Sequence, residues 1–235
     1  MPRSRTSCPA LLVVGLVAAV LTVAGRPSAQ AAERARVLTA ATPGQVVVVQ
    51  AASPSSTTAR ISWWQMGTDH GYHVVGGPYP AFIGRHGLGR THEGAAITPA
   101  GVFSIPVAFG RAPNPGTALA YFQTTPRDWW DELPSSPDYN RHVVATRSPG
   151  GASENLWTTV PAYTYAAFIG YNIDPVVRGA GSAFFVHVSL GVPTAGCVAL
   201  AASPLVALLR FLNPAQHPVI SLGVGTAATA VLARR

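Results

Sequence analysis

The chain of 235 residues is long enough for one domain with a sizeable core, and 48% of it is apolar. Only 11% is charged, while glycine (23) and proline (21) are frequent, a balance that favours short strands and turns over long helices. All 16 basic residues are arginine; the formal charge of +7 falls to +4, 13 arginines against nine acids, if Arg3, Arg5 and Arg26 are removed with an N-terminal segment. That charge is weak and scattered, and no arginine cluster alternates with aromatics, so a nucleic-acid partner is excluded.

From the N-terminus, Arg3 and Arg5 precede an uncharged apolar stretch, Ala10 to Gly25, which Arg26 closes and Ala29-Gln30-Ala31 follows. This is the layout of a cleavable export signal over residues 1–31, with the cut before Ala32. The stretch is shorter than the about 20 residues of a membrane span; the alternative is an uncleaved N-terminal anchor. Cys8 lies ahead of it and leaves with the signal, so the mature chain keeps one cysteine, Cys197. A single thiol in an exported chain is buried and inert, paired between molecules, or reactive.

Residues 32–44 read as a loose leader and 45–235 as one domain. Val46 to Gln50 is a β-branched run and predicts a strand. Ala59 to Gln65 alternates, with Arg60, Ser62 and Trp64 on one face and Ile61 and Trp63 on the other, and predicts a half-buried strand. Further strands are expected at Tyr72 to Val75, Gly101 to Ile105, His142 to Ala145, Ala162 to Tyr171, Ala183 to Ser189 and Val219 to Gly223, most gaps being punctuated by glycine, proline, asparagine or aspartate. The stretch 107–160 reads as long loops, which in a compact domain tend to be functional. One helix is expected, with Ser203 as N-cap, Pro204 in the first turn, an apolar face of Leu205, Val206, Leu208, Leu209 and Leu212, and a stop at Asn213-Pro214. The fold class is mainly β, with few short helices.

Chemistry concentrates in Ala183 to Leu200, AFFVHVSLGVPTAGCVAL. His187 sits inside an apolar strand-like run, and Cys197 follows ten positions later in Thr194-Ala195-Gly196-Cys197. A free thiol near neutral pH is mostly protonated, and a nearby imidazole can take its proton. Gly196 leaves the backbone beside the sulfur open, so the amides around Gly196 and Cys197 are candidates for an oxyanion hole. A hairpin-like connection through Gly191-Val192-Pro193 is expected to bring His187 beside Cys197. His70, His73, His86 and His92 lack cysteine or acid partners at ligand spacing and read as loop histidines.

A histidine in an apolar strand followed by a Thr/Ser-x-Gly-Cys turn resembles the signature of the L,D-transpeptidase catalytic domain, also called the YkuD-type domain. Ile97 to Phe103 (ITPAGVF) is similar to the T-P-x-G-x-F element of that family. Phe109 to Gly116, the Trp129–Tyr139 region with Asn140, and Gly179 to Ser182 are similar to segments of its exported members; the resemblance covers about residues 70–223. The chain departs from the pattern at Ala195, where the family turn usually has histidine, and at Ala199, where it usually has arginine or asparagine. The His-to-Cys gap is also shorter than in many members, as in a divergent branch.

The resemblance implies a YkuD-like β-sandwich or mixed sheet and acyl transfer on peptidoglycan stem peptides. Cys197 would attack the carbonyl between an L-centre and a D-residue, release the terminal D-amino acid and hold a thioester, which an amine or water resolves. His187 would serve as base and then acid, oriented by a backbone carbonyl or Ser189. Gly196, Thr194 and Ala195 would form the oxyanion and substrate-binding turn, and Tyr171 is a candidate for the edge of the site. The resemblance also implies that the thiol attacks carbapenem β-lactams. No cofactor, metal, nucleic acid or stable protein partner is expected, and the localisation is exported. Two competing readings are a sortase-like transpeptidase, for which Arg210 lies 13 positions after Cys197 but inside the predicted helix, and a non-catalytic cell-wall-binding domain.

Overall fold

The computed structural model describes residues 42–233. The expected signal peptide and most of the expected leader lie outside the described residues.

The fold is mainly β, as composition and patterning predict, and is built on one large curled mixed sheet. Its strands are β1 (Gln45–Ala51), β2 (Thr58–Met66), β3 (Tyr72–Phe82), β6 (Gly101–Ser104), β7 (Ala108–Gly110), β8 (Tyr121–Gln123), β12 (Ala166–Phe168), β13 (Phe185–Val188), β14 (Val198–Leu200) and β15 (Val219–Val224), in the order β6-β15-β1-β2-β3-β14-β13-β12-β7-β8. A small sheet has the order β10 (Arg141–Val144), β9 (Asp128–Asp131), β11 (Glu154–Asn155), and β4 (Leu88–Gly89) pairs with β5 (Thr98–Pro99). The helix α1 spans Ala202–Phe211.

The predicted strands at 46–50, 59–65, 72–75, 101–105, 142–145 and 219–223 all form. In β2 the alternation places Ile61 and Trp63 inside and Arg60 outside. The run at 162–171 differs from expectation: it opens as a 3-10 turn, Ala162–Thr164, and only Ala166–Phe168 joins the sheet. The stretch 107–160 is more ordered than its proline and asparagine content suggests and holds five short strands, β7 to β11. The helix starts at Ala202 with Ala201 as N-cap and no side-chain cap, so Ser203 lies inside the first turn. Leu205, Leu208 and Leu209 are buried as predicted, and Asn213 caps the following 3-10 turn by accepting from the Ala215 N–H.

The central strands are buried on both faces, which explains their nearly continuous apolar sequence. On one face Val186, Val188, Val198 and Leu200 meet α1 through Leu205, Leu208, Leu209 and Leu212. On the other, Phe185, Phe168, Phe109, Tyr163 and Cys197 pack beneath Trp130 and Leu156 of the small-sheet region. Trp130 lies 4.4 Å from the Phe168 ring and 5.1 Å, edge-to-face, from the Phe185 ring, and side chains of this size contribute ~2–3 kcal/mol each when fully buried. Cys197 and His187 both belong to this second face.

Candidate active site

The Thr194–Cys197 turn is built by its own side chains. Thr194 Oγ1 accepts from the Gly196 N–H at 3.0 Å and donates to the Cys197 carbonyl at 2.7 Å. Thr98, fully buried in β5, accepts from the Gly84 N–H and donates to the Gly196 carbonyl, both at 2.8 Å. The ITPAGVF segment thus clamps the cysteine turn. Gly196 has φ +141°, and a Cβ there would meet the Phe184 ring at 2.5 Å, so glycine is required on both counts. The Gly196 amide is engaged inside the turn by Thr194, which removes it from the oxyanion donors that the sequence offers. Ala195 is exposed and lines the cavity above the cysteine.

His187 and Cys197 come to the same face, but not through a hairpin. β13 and β14 are parallel neighbours, with Val186 opposite Val198 and His187 opposite Ala199. The nine residues 189–197 therefore return the chain to the start of β13 instead of reversing it. Cys197 lies level with Phe185 and His187 two positions further along, about 8 Å between α-carbons from ~3.3 Å per residue and ~4.8 Å between strands. The Cys197 thiol donates to the Ala183 carbonyl and accepts from the Phe185 N–H, each at 3.4 Å. No hydrogen bond joins it to His187 among the described residues.

The histidine is held with one ring nitrogen engaged and the other left as an acceptor. Its Nδ1 lies 2.8 Å from the Val188 carbonyl, which can only accept, so Nδ1 carries the proton and Nε2 keeps its lone pair. A backbone carbonyl, not Ser189, is therefore its orienting partner; the Ser189 hydroxyl accepts from the Gly191 N–H. Burial lowers the His187 pKa below the ordinary imidazole value, opposed by the bond to Val188. The ring packs edge-to-face on Tyr163, with centroids 5.6 Å apart.

Cys197, 9% exposed, lines a cavity of about 170 Å³ together with Thr91, Glu93, Glu132, Glu154, Ser182 and Ala195. His187 and Tyr171 are not among its lining residues. Burial first, then Glu154 and Glu132, push the Cys197 pKa well above the usual thiol range, with the Phe185 N–H opposing. Both shifts favour the uncharged forms, thiol and imidazole. Tyr171, the candidate edge residue, is a core side chain: its ring packs on Phe103 and Phe184 and its hydroxyl donates to the Ala180 carbonyl at 2.7 Å.

The carboxyls were the part of the site that sequence reasoning missed. Glu93 accepts from the Tyr139 hydroxyl and from Ser182 Oγ, and Tyr139 in turn accepts from the Gly181 N–H. Glu154 accepts from the Tyr163 hydroxyl. Asn140 joins these walls to the strand entry: its Oδ1 accepts from Trp130 Nε1 and from the Ala183 N–H, and its amide donates to the carbonyls of Tyr171 and Asn172. The Tyr139-Asn140 and Gly179–Ser182 segments thus converge on Cys197. A glutamate lying far away in sequence and without spacing to a partner carries no signal by itself. Of the loop histidines, His73 pairs with Asp69 and His86 bonds the Ala95 carbonyl, whereas His92, on the Glu93 carbonyl, lines the rim of the same cavity. Comparison with known proteins finds no matching family model, no matching curated protein and no matching solved structure.

Proposed function

We propose that the protein is an exported cysteine acyltransferase acting on peptidoglycan stem peptides, by L,D-transpeptidation or L,D-carboxypeptidation through a Cys197 thioester. One observation carries the reading: the cysteine of the Thr-x-Gly-Cys turn lines a cavity, and a neutral, oriented imidazole stands on the same face of the adjacent strand. The mixed β fold agrees with the family that the sequence resembles.

In this reading substrate entry turns the thiol from the Ala183 carbonyl toward His187 Nε2. The proton passes to Nε2 as sulfur adds to the scissile carbonyl. The carbon–nitrogen bond then breaks, the leaving D-amino acid takes the proton from His187, and the acyl group remains on sulfur. An amine, or water, attacks the thioester, gives its proton to His187, and frees the thiol. Thr98 and Thr194 hold the turn throughout.

A second reading, a non-catalytic cell-wall-binding domain, is favoured by the thiol's raised pKa and by hydrogen bonds that tie it to Ala183 and Phe185 instead of His187. The two are separated by incubating purified protein with tetrapeptide stems and analysing the muropeptides. Loss of the terminal D-amino acid, or cross-linked dimers, is expected from wild type and not from Cys197→Ser. Equal activity in the variant, with an unchanged melting curve, removes Cys197 from the mechanism.

A further inference from the structure

The cavity over Cys197 holds more acid than acyl transfer uses. Glu93, Glu132 and Glu154 all line it, each on a different segment, within a volume of about 170 Å³. Glu93 and Glu154 have hydroxyl donors, but Glu132, 8% exposed, has a buried Oε1 without a hydrogen-bond partner among the described residues. Glu132 feels the other two: burial first, then Glu154 and Glu93, push it up to about 9. Burying carboxyls together with an orphaned acceptor is costly to a fold, whether they ionise or hold a proton, unless something cationic relieves it.

We propose that this cavity is a subsite for a primary ammonium group, held by Glu93, Glu132 and Glu154 next to Cys197. An ammonium offers three N–H donors arranged around one small centre, which suits carboxyls arriving from three separate segments. A guanidinium is planar and favours bidentate pairing with a single carboxylate, a less apt match to this arrangement. The Glu132 Oε1 gains the donor it lacks, and the added positive charge favours the ionised form of its carboxyl. The inference deepens the acyl-transfer reading, on which it rests for the ammonium being part of the substrate. The same chemistry is available from a side-chain amine or from an α-amino group.

Binding is read by calorimetry on the Cys197→Ser protein, so that no chemistry intervenes and the outcome stands apart from whether acyl transfer occurs. The probes are Nα-acetyl-lysine methylamide for a side-chain amine, alanine methylamide for an α-amine, Nε-acetylated Nα-acetyl-lysine methylamide as the uncharged control, and Nα-acetyl-arginine methylamide. At least one of the two ammonium probes should bind at least about tenfold more tightly than the control, and adding Glu132→Gln or Glu154→Gln should remove that advantage. Which ammonium probe binds identifies the source. Equal binding of the uncharged control, preference for the arginine probe, or an advantage that survives in both glutamine variants overturns the subsite and leaves acyl transfer to its own test.

Discussion

At Cys197 burial and two carboxyls act in the same direction, each disfavouring the thiolate, while burial at His187 disfavours the imidazolium. Both shifts favour the uncharged forms, and in the proposed mechanism proton transfer follows displacement of the thiol from Ala183 by substrate. Glu132 is the acid whose titration is most accessible to measurement. Its carboxyl rises from 4.5 to about 9 on folding, chiefly through burial. Between those values the folded state binds more protons than the unfolded one, so stability falls as pH rises from 4.5 through about 9. His187 acts oppositely, since its lowered pKa makes stability rise with pH up to the unfolded value of 6.5. That contribution is shared by wild type and variant and cancels in their difference. Glu132→Gln should thus gain stability relative to wild type as pH rises from 5 to 8.5, read as a growing difference in Tm. A difference that stays flat with pH means that Glu132 does not titrate in this range.

Among the elements, the two-residue strand β5 has an effect out of proportion to its length. Thr98 satisfies the Gly84 N–H and the Gly196 carbonyl at once, linking the strand edge to the cysteine turn. Thr98→Val keeps the shape but leaves both backbone groups without that partner, at a cost of ~1–3 kcal/mol. The expected result is a Tm lower by several degrees and slower labelling or turnover at Cys197, by thermal melt and activity assay; an unchanged Tm shows that the clamp is dispensable. Alternation made β2 legible, and the apolar runs of β1, β13 and β15 were legible because strands buried on both faces need little polar punctuation. The parallel pairing of β13 with β14 was not legible, because Gly191-Val192-Pro193 reads as a turn whether the chain reverses or only loops back. The order within 107–160 was hidden for a different reason: strands of two to four residues leave too short a pattern, and Trp130 is held there by contacts with Phe168 and Phe185 from distant segments.

Across the described residues, one face of the central strands is closed by α1 and the other by the small sheet, and the cavity opens where the 91–96, 132–154 and 181–184 segments meet over Cys197. His187, Cys197 and their order were readable locally, whereas the carboxylate wall exists only once three loops are folded together. No helix among the described residues is long and apolar enough to cross a membrane. Export rests on the N-terminal sequence, which predicts a secreted chain beginning near Ala32 with a single thiol; intact-mass analysis of secreted material tests this, and a membrane-bound chain retaining Met1 contradicts it. The central claim is that Cys197 is a nucleophile served by His187. Its most direct test is the intact mass of the protein after long incubation with a carbapenem, with His187→Ala alongside. A lost oxyanion donor slows such chemistry by ~10²–10³, so with the Gly196 amide engaged the adduct should form slowly. It should form on Cys197 in wild type and much more slowly in the variant. A wild-type protein that stays unmodified while a small alkylating agent labels Cys197 readily, or a His187→Ala variant acylated as fast as wild type, contradicts the account.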